Sequence, residues 1–393
     1  MSRRRSLVFA LFCSISLSCF AASPLAPYQA AVEKIRGRKF ITDVKNVTLE
    51  RSKLPAILRE QIGKELPYSV DEWVTILRAM QLVDVDAQQV VPKLLALYES
   101  QVLAFYDPHS HTYYSIDKVP EKLQALGDPK MLEEMVAVHE LQHAIQDQHF
   151  HINEKIAALR KDTDGGMAYH SVLEGEAVLV MMAHMLDKSG MKLDDLAGSD
   201  DLVTMIMSAA QSDQSGIDPS TPPFFAESLK FPYLQGLKFV IAAYRRGGWA
   251  ELDRVHANPP QSTREVMHPE EYFARKTRRA AWSPTPPAGI ENVLAVEHGG
   301  AFTWSFIVGE NNAKGWSDDR ITIVRGKTPT VLVETKWDTP DQAMAFAKAY
   351  DAFLAKRGVG ARVVREGAVV KAVYGPDTVA KERFLPTAKA KAA

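Results

Sequence analysis

The stretch His139-Glu140-Leu141-Gln142-His143, inside the run from Asp128 to Phe150, governs how the rest of the chain is read. Two imidazoles stand four residues apart, with a carboxylate beside the first. On an α-helix four residues turn about 400°, so both histidines project from one face and can share a metal ion. Glu140 sits about 100° further round, beside that ion, where it can take a proton from water. Asp128 is a good N-cap and Pro129 suits the first helical position. Leu132, Met135, Val138, Leu141 and Ile145 recur every three or four residues and form a buried stripe. The histidines flank this stripe, at the edge of a core. The pattern points to a zinc-dependent hydrolase.

Two protein ligands do not complete such a site, because a catalytic zinc takes three and keeps a fourth position open. His149 lies ten residues after His139, the offset of a third ligand supplied by the same segment when a glycine swings the chain back. Gln146 stands where that glycine would be. If the helix simply continues, His149 lies about 240° round from His143 and points away. Glu174 is the better candidate, on the next predicted helix, with Gly175 beside it to let two helices approach closely. His170, one turn earlier, shares the face of Glu174 and reads first as cleft lining. Asp147 reads either as an orienting partner for a ligand imidazole or as surface. Glu176 faces elsewhere and reads as solvated or as a second carboxylate behind the site.

The segment Leu173-Glu174-Gly175-Glu176-Ala177 resembles the Glu-Gly-x-Ala segment of gluzincin-type zinc peptidases, over roughly residues 100–275. The resemblance implies a zincin-like catalytic domain in which His139, His143 and Glu174 hold zinc and Glu140 is the general base. The spacing between the two motifs is longer than in the aminopeptidase branch, so the likeness is to the clan. It names no substrate beyond a peptide or protein. Such enzymes add a Tyr, His or Arg to stabilise the oxyanion, and Tyr233 and His268 are the two candidates. With no Gly-x-Ser-x-Gly elbow, and no cysteine outside the leader described below, covalent catalysis has no support. Two alternatives share these residues: an exported binding or scaffold protein with a structural zinc, and a zinc hydrolase of a non-peptide amide.

The remaining chain frames this site. With 393 residues, 46% hydrophobic and 24% charged, it is long enough for two domains. Arg3, Arg4 and Arg5 precede an uncharged apolar run from Leu7 to Phe20, followed by Ala21, Ala22 and Ser23, so residues 1–22 read as a signal peptide and the protein as exported, periplasmic or secreted. Cys19 as a lipoprotein anchor is the weaker reading, since Ser16 stands where such a signal has Leu. Without those three arginines the net formal charge of −1 becomes −4, and no basic patch of nucleic-acid type appears. Both cysteines lie in the leader, so no disulfide is available afterwards. No later segment reads as a stable membrane span, and nothing bears on oligomeric state.

The fold class expected is α+β. Residues 23–283 form a mainly helical catalytic domain, with a β-hairpin (Val102–Tyr106 and Thr112–Ile116) just before the His139 helix. His109 and His111, at its turn, read as solvated. Residues 28–100 read as mostly helical, and residues 188–223 as a mobile excursion. Ser262 with Glu265 reads as a capping box. The proline- and glycine-rich stretch from Pro284 to Gly289 opens a small α+β domain, residues 284–380, with no chemistry assigned. Residues 381–393 read as a disordered tail.

Overall fold

Asp128 accepts a hydrogen bond from the Lys130 backbone N–H at 3.1 Å and Pro129 follows it, so the central helix starts where its cap dictates. It then runs unbroken to Phe150, where His151 stops it in the left-handed conformation (φ 53°, ψ 52°). The structure is a computed structural model. It describes residues 24–387 except 86–87, 91, 94, 97–101, 119–127, 213–219 and 278–279. The expected leader and the last residues of the expected tail therefore lie outside the described residues.

In chain order the first part holds α1 (Ala26–Arg36), β1 (Lys45–Leu49), α2 (Leu54–Glu65), α3 (Val70–Ala79), β2 (Ala104–Asp107) and β3 (Thr112–Ile116). The central helix is α4 (Pro129–Phe150), followed by α5 (Ile152–Leu159), α6 (Thr163–Ser189), α7 (Leu193–Ala197), α8 (Asp200–Ser212) and α9 (Pro223–Ala257). Two short helices, α10 (Thr263–Met267) and α11 (Pro269–Ala274), close this part. The C-terminal part runs β4 (Val293–Glu297), α12 (Gly300–Val308), α13 (Glu310–Ala313), β5 (Trp316–Val324), β6 (Thr330–Trp337), α14 (Pro340–Lys356), β7 (Ala361–Glu366), β8 (Val369–Tyr374) and α15 (Thr378–Phe384). The chain is thus α+β, a helical part joined to a β-rich C-terminal part. No helix among the described residues is long and apolar enough to cross a membrane.

The hairpin forms as expected, β2 pairing antiparallel with β3 from Ala104↔Ser115 to Asp107↔Thr112. Its partner β1 is parallel to β3, giving the order β1-β3-β2 and leaving β2 at an edge. This strand stands within a stretch read as helical; Lys45 to Thr48 are exposed, so no alternation of buried residues announces it. The hairpin, α1 and α4 share one core around Val32, Tyr106, Tyr113, Val138, Leu141 and Ile145. A second core joins α6 to α9 around Val172, Leu179, Phe239 and Val240.

The C-terminal strands form an antiparallel sheet ordered β4-β5-β6-β8-β7. Its side chains alternate as the pleat requires: Val331 and Val333 enter the large core under α12 and α14, while Leu332 faces a smaller one with Val373 and Leu385. Val74, Ile76 and Leu77 of α3 belong to that same large core, and Tyr374 Oη donates to the Ala79 carbonyl at 3.0 Å. The N-terminal helix α3 is therefore a wall of the C-terminal part.

Three expectations are corrected. Residues 378–384 are helical, because Asp377 accepts from the Ala380 N–H at 2.9 Å and Ala380 and Leu385 bury against the sheet; the tail is therefore ordered past Lys381. Residues 193–212 form α7 and α8, with Val203 and Met207 packed on the second core. Ser262 makes no capping bond; Glu265 instead accepts from the Gln261 N–H at 2.7 Å and from Arg275 at 2.6 Å.

Candidate functional site

Helix α4 carries His139 and His143 on one face, with ring centroids 4.8 Å apart and planes at 83°. Their Nε2 atoms converge to 3.2 Å. Glu174 enters from α6, its Oε2 lying 3.1 Å from His139 Nε2 and 3.6 Å from His143 Nε2. One ligand atom from each residue lies within 4.8 Å of the others. Three donors bonded at about 2.0–2.2 Å to one tetrahedral ion stand roughly 3.3–3.6 Å apart; the observed 3.6 Å lies in that range, and 3.1 and 3.2 Å lie just below it. The donor set itself, two imidazoles and a carboxylate, fits a divalent cation with an open fourth position.

The charges agree with the geometry. Burial would raise the Glu174 carboxyl, but His143 and His139 hold it well below the usual carboxylate range. Burial would lower the His143 imidazole, but Glu174 outweighs it and holds it up at about 9. Glu140 lies beside the trio, its Oε2 accepting the Tyr106 backbone N–H at 2.9 Å. Burial pushes its carboxyl up, against the opposing pull of the two histidines. A carboxylate raised in this way is a stronger proton acceptor than a solvated one. Tyr106 lies on the edge strand β2, and its N–H points away from β3 into the site.

Glu174 reaches the histidines because α6 and α9 touch backbone to backbone. A Cβ on Gly175 would stand 2.2 Å from the carbonyl carbon of Gly236, and one on Gly236 would stand 2.0 Å from the Ser171 oxygen. Only glycines allow that crossing. One turn before Gly236, the half-exposed Tyr233 ring stacks on His139 at 6.2 Å and 22°. His170, half-exposed, has its Nε2 3.6 Å from Glu174 Oε1.

The other sequence candidates stand elsewhere. Since α4 continues past Gln146, His149 points away and contacts the Lys39 carbonyl at 2.8 Å and Arg38 at 3.3 Å. His268 opens onto a different cleft of about 410 Å³, between α10, α11 and the α12–α13 stretch of the C-terminal part, and its near carboxylate is Glu270 at 3.6 Å. Asp147 is buried and orients no ligand imidazole; it accepts from Tyr106 Oη at 2.8 Å and contacts His111 Nδ1 at 2.9 Å, pinning the hairpin to α4. His111 is thereby a structural partner of Asp147.

Of the two readings of Glu176, solvated or behind the site, the second holds. Glu176 is fully buried, contacting Arg36 Nε at 2.6 Å, His256 Nε2 at 2.6 Å and Gln146 Nε2 at 2.8 Å. Arg36 and His256 have no place in the sequence reading of the site, and Gln146 enters it only as the position where a turning glycine is missing. Arg36 lies 140 residues from Glu176, and no local pattern connects them.

Residues 282–383 match the family model of a domain of unknown function (DUF8575). That stretch contains β4 to β8 and α12 to α14, and none of the residues around His139. A solved structure from Chloroflexus aurantiacus, described as a candidate hydrolase with a novel fold, is similar at 17% identity and a TM-score of 0.43. The match covers 65% of this chain and 88% of that one, and so low a likeness carries no argument about fold or activity. No curated protein matches the chain.

Proposed function

We propose that the chain is a zinc-dependent hydrolase of peptide bonds. The observation that carries this reading is the convergence of His139, His143 and Glu174 from two helices, with the Glu140 carboxylate held beside them. A structural zinc site has no need of that second carboxylate. When bound, zinc supplies Lewis acidity to a water molecule and to the scissile carbonyl. Glu140 accepts the proton of the attacking water at a carboxylate oxygen and hands it to the leaving amine nitrogen. The Tyr106 N–H holds that carboxylate pointing inward. Tyr233 and His170, which flank the trio, are the side-chain donors placed to meet developing negative charge on the carbonyl oxygen.

The peptide assignment is supported by the edge strand. The side of β2 that faces the site is left without a strand partner among the described residues, and an extended backbone can line up along such an edge. The leader-like residues 1–22 support export.

The test is Glu140→Gln in the purified chain loaded with zinc. Turnover of a peptide library should fall by about 10²–10⁴-fold, the usual contribution of a general base, with the zinc content unchanged. Full activity in that variant would rule out the mechanism. Metal analysis of Glu174→Ala and His149→Ala should show zinc lost only from the former.

A further inference from the structure

Gln146 is fully buried, and its two amide ends face different chemistry. One end lies 2.8 Å from Glu176 Oε2 and 3.0 Å from the Leu173 carbonyl oxygen. Both of these are acceptors, so the NH₂ group must sit there and the orientation of the amide is settled by its partners. The Oε1 end therefore faces His143 Nδ1, at 2.8 Å. An amide oxygen can only accept, so Nδ1 carries a proton, and the Nε2 lone pair is the one left for a cation. That Nε2 is the atom turned toward His139 and Glu174.

Glu176 is in turn immobile. Arg36, whose side chain is 1% exposed, contacts it at 2.6 Å and is itself paired with Asp253 at 2.6 Å. His256, stacked on Phe150 at 4.1 Å and 6°, closes the other side of the carboxylate. A charged, fully buried carboxylate needs such partners to be tolerated at all.

Building on the reading of His139, His143 and Glu174 as a zinc site, we infer that Gln146, held by Glu176, is a positioning residue that fixes His143 in its zinc-binding tautomer. The chain Arg36–Glu176–Gln146–His143 carries orientation from the fully buried interior to the ligand. Gln146 touches neither substrate nor ion.

Two substitutions test this, with zinc itself as the probe. Gln146→Met keeps the length of the side chain and removes the acceptor. Zinc affinity, measured by competition with a chromophoric chelator, should fall about 10–100-fold, as when an outer partner of a ligand imidazole is lost. In the zinc-loaded wild type, the His143 Nδ1–H should exchange slowly in ¹H–¹⁵N spectra, and this protection should vanish in Gln146→Met. Glu176→Gln acts at one remove. Arg36 never gives up its proton, so the oxygen of the new amide stays toward Arg36 and its NH₂ meets the NH₂ of Gln146. The Gln146 NH₂ then keeps only the Leu173 carbonyl as its acceptor, its hold on His143 loosens, and zinc affinity should drop, by less than in Gln146→Met.

If the wild type binds zinc and Gln146→Met binds it within about threefold, with the Nδ1–H protection unchanged, the inference fails while the zinc site stands. If the wild type binds no zinc, both fail. Should Glu176→Gln not fold, Gln146→Met decides alone.

Discussion

The backbone contact between α6 and α9 makes a sharp prediction for Gly236→Ala. In an ordinary helix interior this change stabilises by about 0.5–1 kcal/mol, because glycine loses more backbone entropy on folding. Here the added Cβ would stand 2.0 Å from the Ser171 oxygen and 2.9 Å from its carbonyl carbon. Ordinary carbon contacts lie near 3.5–4.0 Å, so the helices must part by roughly 1 Å or more. The obstructing atoms are backbone, and no rotamer change can move them aside. Overpacking costs about 1–3 kcal/mol, and a 2.0 Å clash with backbone belongs in the upper part of that range, so about 1–2.5 kcal/mol is lost after the propensity gain. The displacement also falls beside Glu174, whose contact with His139 is 3.1 Å, so a shift of that size takes the third proposed zinc ligand from its place. Zinc affinity should therefore fall more than stability does. The control is Gly63→Ala on α2, where an added Cβ meets nothing within 4 Å. Thermal unfolding in chelator, together with a zinc titration, reads both effects. If Gly236→Ala raises Tm as Gly63→Ala should, the close-contact reasoning is wrong.

Three further outcomes are expected. Arg36→Met leaves Glu176 with His256 and Gln146 but without its buried cation, and should cost about 3–5 kcal/mol in denaturant unfolding. Burial would raise Glu176, but Arg36 and His256 hold it well below the usual carboxylate range, so it stabilises the fold above its unfolded pKa and that contribution is lost as pH falls through the folded value. Acid unfolding of Arg36→Met should accordingly begin at higher pH than in the wild type. At the junction of α6 with the C-terminal part the sign reverses: burial pushes Asp164 up to about 7, and Asp162, Asp164 and Asp319 outweigh burial to hold His298 up at about 9. Both folded values exceed the unfolded ones, so this stability is complete in acid and is lost as pH rises through about 7 and then about 9. Tm should fall between pH 6 and pH 9, and His298→Gln should flatten the upper part of that fall; a Tm that climbs over this range contradicts the assignment. Finally, zinc at a hundred times its Kd should stabilise the chain by about 2.7 kcal/mol, an increment absent from Glu174→Ala in the same melt.

What could be read from the chain was what local chemistry determines. Asp128 and Pro129 start α4 because a cap and its first turn are neighbours in sequence, and His139 and His143 share a face because helical pitch puts them there. Glu174 was legible one step less directly: its glycine neighbour signalled a close helix crossing, but Gly236, which receives it, carries no signal of its own. The open readings lie where the deciding partner is far along the chain. The sequence leaves Glu176 open between solvated and behind the site, because Arg36 and His256 stand 140 and 80 residues away. Asp147 reads either as a partner for a ligand imidazole or as surface, yet the hairpin folds over it and takes both of its contacts. Gln146 is the clearest case. Its bearing on the sequence was negative, a position where a turn-making glycine is missing. In the fold that absence lets α4 continue, which carries His149 away from the site, and the glutamine that replaces the turn reaches back three residues to His143. One residue thus carries His149 away from the trio and meets His143, and the third member of the group comes instead from Glu174 on α6.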